Sequence, residues 1–234
     1  MLEKSYHIQL LNNEKGYHEI MHEYNKTVVY KYDGEKNISL LPDGCPEIIF
    51  FIKKDSVAVK NITKNRAFTI DAEGGTVLGI RMSPLMNWKT LYEKSLQIAR
   101  ECDGISQEEI ISYITGRVTS LMEYGNVHPL TKEVLEWFLD TNGAVMIQSI
   151  ADKYGYTTRY IYKIITQTTG FNPKQIARIC RFMQAVEYME NTPSGNNSAY
   201  IENLSYSDQA HFQREFKEFA GITPREFVRK FTGK

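Results

Sequence analysis

Residues 147–170 read IQSIADKYGYTTRYIYKIITQTTG, and this stretch decides the C-terminal half of the chain. Ile150 and Ala151 fall on the inner face of one helix, and the small Ala151 lets a second helix cross closely. Gly155 suits the positive φ of a tight turn. Thr157 then caps a second helix by accepting a backbone N–H. In that helix Ile161, Ile164 and Ile165 share a face that packs inward. Thr158, Arg159, Tyr162 and Lys163 are left on the outer face. An apolar back with donors near the N-terminal end is what a helix needs to reach base edges in a major groove.

A second, imperfect copy follows at residues 198–223, SAYIENLSYSDQAHFQREFKEFAGIT. Asp208 caps its second helix. Phe212, Phe216 and Phe219 make the apolar stripe, a core face and not a ligand box. Gln209, His211, Gln213 and Arg214 remain for the outer face. Glutamine and arginine pair bidentately with adenine and guanine. For His211 a core-satisfying role and a phosphate contact both stay open. Between the copies, Pro173–Glu190 reads as one long helix with proline in its first turn. At 1.5 Å per residue about 18 residues span roughly 27 Å, against ~34 Å between successive major-groove faces. One chain could therefore fill two neighbouring grooves.

From about residue 130 to 231 the chain resembles the DNA-binding domain of the AraC/XylS family. The matching blocks are SIADKYGYTTRYIYKIITQTTGFNPKQIARICRFMQA and YSDQAHFQREFKEFAGITPREF. The resemblance implies a seven-helix domain with two helix-turn-helix motifs. It also implies promoter DNA and RNA polymerase as partners, and activation of transcription as the usual outcome. It points to Arg159, Tyr162 and Lys163 in the first motif and to Gln209, His211 and Arg214 in the second. Ile201 and Ser205 depart from the family's small residue and glycine in the second motif. Whether that motif still reads bases is left open.

The N-terminal half reads as β-rich. Thr27–Tyr32, Glu47–Ile52, Val57–Val59, Ala67–Ile70 and Thr76–Met82 are rich in β-branched and aromatic residues. Asp33-Gly34, Pro42-Asp43-Gly44, Lys64-Asn65 and Gly74-Gly75 punctuate them. A small barrel or sandwich is expected. Tyr30, Tyr32, Phe50, Phe51 and Phe68 either fill it or line a pocket. LPDGCPEIIF and VLGIRMSP resemble segments of an N-terminal domain found in some AraC-type regulators, where a cupin-like barrel is usual. Such a domain implies a small-molecule effector without identifying it. Pro84–Tyr92 reads as a short helix. Ser106 opens another, whose Ile110, Ile114, Val118 and Leu121 form either a packing face or a homodimer seam. Gly125-Asn126 and Pro129 mark a boundary. The expected fold is α+β: a β-rich sensing or dimerising domain over 1–127, then an all-α DNA-binding domain over 128–234.

Several function classes recede. The net charge is +0, with about 13 Lys/Arg against 11 Asp/Glu in the C-terminal half. DNA binding must therefore use a few placed cations and not a general basic field. Cys45, Cys102 and Cys180 form no CxxC pair, so neither a zinc site nor a disulfide framework is expected. Cys45 reads as a buried turn cysteine. His18 and His22 have the i, i+4 spacing of helical metal ligands, but no third ligand is evident. No metal, cofactor or enzyme activity is expected. No apolar run approaches a membrane span and no signal peptide is evident, so a cytoplasmic protein is expected. The competing function is an interaction protein that keeps the fold, does not bind DNA and sequesters another regulator.

Overall fold

Strands β4 and β7 carry the N-terminal half. In this computed structural model the described residues are 17–24, 27–33, 37–54, 56–63, 65–72, 74–122, 125–144, 146–191, 204 and 206–231. The strands run β1 (Tyr17–Tyr24), β2 (Thr27–Tyr32), β3 (Ile38–Leu40), β4 (Pro46–Lys53), β5 (Ser56–Thr63), β6 (Phe68–Ile70) and β7 (Thr76–Arg81). Five form an antiparallel sheet in the order β1-β2-β7-β4-β5, and β3 pairs with β6 separately.

Alternation sorts each strand's side chains between two layers. Val29, Ile48, Phe50, Ile52, Leu78 and Ile80 face helices α1 (Trp88–Glu101) and α2 (Gln107–Leu121). Val28, Tyr30, Ile49 and Val77 face the β3–β6 pair. Strand β7 is buried along its whole length because both of its faces are covered. The arrangement is helices, sheet and a small second sheet, a sandwich-like stack.

One polar knot sits inside it. A Cβ on Gly79 would fall 2.1 Å from Cζ of Tyr30, so the tyrosine ring lies directly on bare backbone. Its hydroxyl donates to Glu47 Oε1. Nearby, Arg81 pairs with Asp43 through Nε and donates from Nη2 to Cys45 Sγ at 3.1 Å. Asp43 Oδ1 also accepts from the Cys45 N–H at 3.0 Å. Burial works against the Arg81 charge, but Asp43, Cys45 and Glu47 outweigh it and hold the guanidinium's pKa above its usual value. The Pro-Asp-Gly-Cys turn and the Gly-Ile-Arg segment are thus two halves of one buried ion-pair network. Cys45 is buried in that turn, as expected.

Three points of the sequence reading take definite form. His18 and His22 lie on β1 and not on a helix, opposite Lys31 and Val28. No metal-holding group of side chains occurs among the described residues. The helix expected at Pro84–Tyr92 begins at Trp88 and runs on to Glu101. The proposed seam residues Ile110, Ile114 and Val118 are 4%, 0% and 0% exposed, packed against the sheet and α1, with Leu121 half-buried. That stripe is the helix's packing face and offers no dimer surface.

The C-terminal half is helical: α3 (Pro129–Asp140), α4 (Ile147–Tyr154), α5 (Thr158–Thr169), α6 (Pro173–Asn191), α7 (Gln209–Ala220) and α8 (Pro224–Phe231). The opening of the second copy, residues 198–203 with Ile201, and Ser205 lie outside the described residues, while Leu204 between them is buried. Phe182, Phe216 and Phe219 centre the core, with ring centroids 5.1 and 5.2 Å from Phe182. No described helix is long and apolar enough to cross a membrane.

The packing of Tyr30 on Gly79 is testable. Gly79→Ala should lower unfolding free energy by about 3 kcal/mol, since overpacking here displaces a fully buried ring. Urea denaturation measures it, and a loss under about 1 kcal/mol would show that the strand relaxes around the methyl group.

Candidate nucleic-acid interface

The first motif is built by its caps. Helix α4 ends at Gly155, at φ +69°, a left-handed position that favours glycine. The chain turns through Tyr156, and Thr157 Oγ1 accepts the Tyr160 N–H at 3.2 Å to start α5. Ile161 and Ile165 are fully buried, with Ile164 nearly so. The opposite face carries Arg159 and Lys163, both exposed, with Thr158 and Tyr162 half-buried beside them. Positions four apart are neighbours on a helix, so Arg159–Lys163 and Thr158–Tyr162 form two adjacent rows. Among the described residues neither Arg159 nor Lys163 enters an ion pair.

The second motif is held differently. Asp208 Oδ1 accepts the His211 N–H at 2.7 Å and caps α7. That backbone bond is the main reason the Asp208 carboxyl sits below its ordinary range. Gln209, Gln213 and Arg214 are exposed. His211 departs from them. Its Nδ1 faces Ser207 Oγ at 3.1 Å, its ring meets Tyr206 edge-on, and its Nε2 lies 3.9 Å from Glu215. It belongs to the packing beneath α7 as much as to the outer face.

Glu215 ties α7 to α6. It is 4% exposed and accepts from Arg178 Nε at 2.7 Å and Arg181 Nη2 at 3.4 Å. Arg178 also reaches Glu218 at 2.6 Å and lies over the Phe219 ring. Two of the acids in this half are therefore neutralised by arginines on the inner side of α7. The cations of the outer faces keep their field despite the chain's zero net charge.

Sequence reasoning missed one group beside the first motif. Tyr156 and Tyr160 stack at 4.9 Å, and His128 meets both edge-on at 5.8 and 5.7 Å. His128 Nδ1 accepts the Leu130 N–H and so caps α3. Among the described residues Tyr156 is one of the large hydrophobic side chains left exposed. Its only sequence signal was an aromatic in a turn, where a small polar residue is more usual.

Helices α4 and α5, joined through an αL turn with an outward polar row on α5, have helix-turn-helix geometry. Residues 150–230 match the family model described as a helix-turn-helix domain. This stretch is a helix-turn-helix domain. It supports a DNA-binding transcription regulator. The fold is similar to the C-terminal domain of AraT, a response regulator from Geobacillus stearothermophilus. That likeness has 18% identity and a TM-score of 0.41, and covers 45% of this chain and 88% of that one. It is also similar to ToxT from Vibrio cholerae O395, at 13% identity and a TM-score of 0.46, over 94% and 100% of the two chains. No curated protein matches the chain.

Two outcomes follow. Glu215→Ala leaves Arg178 and Arg181 without their buried partner, and should cost about 3 kcal/mol in denaturant unfolding. A loss below about 1 kcal/mol would show that Glu218 and water replace it. Near the end of α6, burial and the charge of Glu187 push the Glu190 carboxyl up to about 7. A raised carboxyl favours the fold below its unfolded pKa and weakens it as pH climbs through the folded one. Glu190→Gln should therefore raise Tm at pH 8 and leave it nearly unchanged at pH 4. Equal effects at both would reject the assignment.

Proposed function

We propose that the protein is a sequence-specific transcription regulator that lays α5 and α7 in neighbouring major grooves of promoter DNA. The observation that carries this is the outward placement of polar rows on both helices, each over an apolar, buried back. Arg159, Tyr162 and Lys163 serve the first half-site, with Thr158 beside them. Gln209, Gln213 and Arg214 serve the second. His211 supports the helix and reaches at most a phosphate. Helix α6 has 19 residues and spans about 28 Å, which suits the ~34 Å groove repeat once the flanking helices are added.

A division near residue 127, with an N-terminal sensing half, belongs to the same reading. The space between the sheet and the β3–β6 pair is filled by Tyr30, Tyr32 and their neighbours. An effector would instead enter the cleft of about 240 Å³ where Met86, Trp88 and His128 face Ile164 and Thr168. Activation through RNA polymerase and a homodimeric state are what the family resemblance favours. A promoter–reporter fusion and sedimentation test them.

Footprinting on DNA selected from random duplexes decides the main point. Two protected grooves one helical turn apart are expected. Arg159→Ala and Arg214→Ala should each weaken binding by about 1–3 kcal/mol and relax specificity in opposite half-sites. Unaltered binding by both would reject the residue assignment. The sequestering alternative predicts a flat dependence of log K on log salt for DNA, where the regulator predicts a steep fall.

A further inference from the structure

Both reading helices end against the N-terminal half. The last carbonyls of a helix have no partner within it. In α5 the Gln167 carbonyl accepts from Lys89 Nζ at 3.1 Å, and the Thr168 carbonyl accepts from Trp88 Nε1 at 3.3 Å. Both donors come from the first turn of α1, and an ammonium at a helix C-terminus is electrostatically favoured. In α7 the Phe219 carbonyl accepts from the Ala67 N–H at 2.6 Å. A Cβ on Gly170, just past α5, would lie 3.5 Å from the Thr63 methyl group. Thr63 and Ala67 are four positions apart, at most about 14 Å of chain. One short stretch of the N-terminal half therefore touches the ends of both reading helices.

The middle is also joined. Leu41 is buried within the C-terminal core, and Ala67 and Leu85 pack against it. A Cβ on Gly44, in the Pro-Asp-Gly-Cys turn, would lie 3.9 Å from Ile179 of α6. Helix α7 is fixed to α6 by Glu215. The placement of α5 relative to α7 then has two supports: α6 on one side and the N-terminal half on the other.

We infer that the N-terminal half sets the separation of the two reading helices, and that Trp88 and Lys89 are positioning residues for recognition of half-site spacing. The inference rests on the proposed two-groove reading. The grip is at the C-terminal ends, so the N-terminal ends that carry Arg159 and Gln209 stay clear of it. Lys89→Met and Trp88→Phe remove the two donors and keep most of the apolar volume.

The full chain serves for two measurements. Spin labels at Thr166→Cys and Lys217→Cys, both exposed, report the distance between α5 and α7. The three native cysteines are buried. A narrow distribution is expected, and it should broaden in W88F/K89M. On selected DNA, one base pair inserted between the half-sites should weaken the parent at least tenfold and W88F/K89M less than threefold. Ile114→Val, which loosens the N-terminal core away from the seam, should keep the parent's spacing penalty. Should W88F/K89M fail to fold, K89M alone, at an exposed position, should shift both readouts in the same direction. Unchanged distances together with an unchanged spacing penalty would overturn the inference. A parent that selects no sequence and binds DNA independently of salt would instead remove the two-groove reading, with the label distances still judging the brace.

Discussion

A carboxylate between two guanidinium groups decides how the second motif stands. Glu215 is shut away from water, and an isolated buried charge is costly enough that it must be answered. Arg178 and Arg181 answer it from α6, and their geometry leaves little freedom in the angle of α7. Everything outward of that contact follows: the row Gln209, Gln213 and Arg214 faces away because Glu215 faces in. The same arrangement answers Glu215 and Glu218 of α7 with arginines of α6. A chain with no net charge can thus present a locally cationic edge.

The N-terminal half repeats the device with different parts. Arg81 is surrounded by Asp43, Cys45 and the Glu47 carboxylate, and Tyr30 closes the network from above Gly79. Its two segments are far apart in the chain and are joined by this ion pair at the ends of the neighbouring strands β4 and β7. It leaves the layer beneath β2 and β7 packed with side chains.

Much of the C-terminal domain was legible because its determinants are local. Gly155, Thr157 and Asp208 act within three residues of where they stand, so their roles can be read from neighbours alone. Strands β2 and β7 were legible for the same reason, through runs of β-branched residues. Strand β1 was not: the spacing of His18 and His22 imitates a helix face, and only its pairing with β2 resolves the ambiguity. The stripe on α2 shows a related limit. Ile114 and Val118 are apolar at helical intervals, and such a pattern does not say whether the covering surface is the same chain or another. The outward rows on α5 and α7 could be read, but His211 could not, since Ser207 and Glu215, each four positions away, give it partners at both the exposed and the buried side of the helix. The seam was illegible altogether, because Trp88, Lys89 and Ala67 meet helix ends 78 or more positions away.

The chain has two tryptophans, and they occupy different places. Trp137 lies in the helical half under the Lys153 ammonium, 4.0 Å from its ring centre. Trp88 has its indole N–H engaged at the seam. Intrinsic fluorescence therefore carries two separable signals, one from within the helix-turn-helix domain and one from its junction with the sheet. Parting of the two halves would expose the Trp88 indole to water and red-shift its emission, while Trp137 stayed silent.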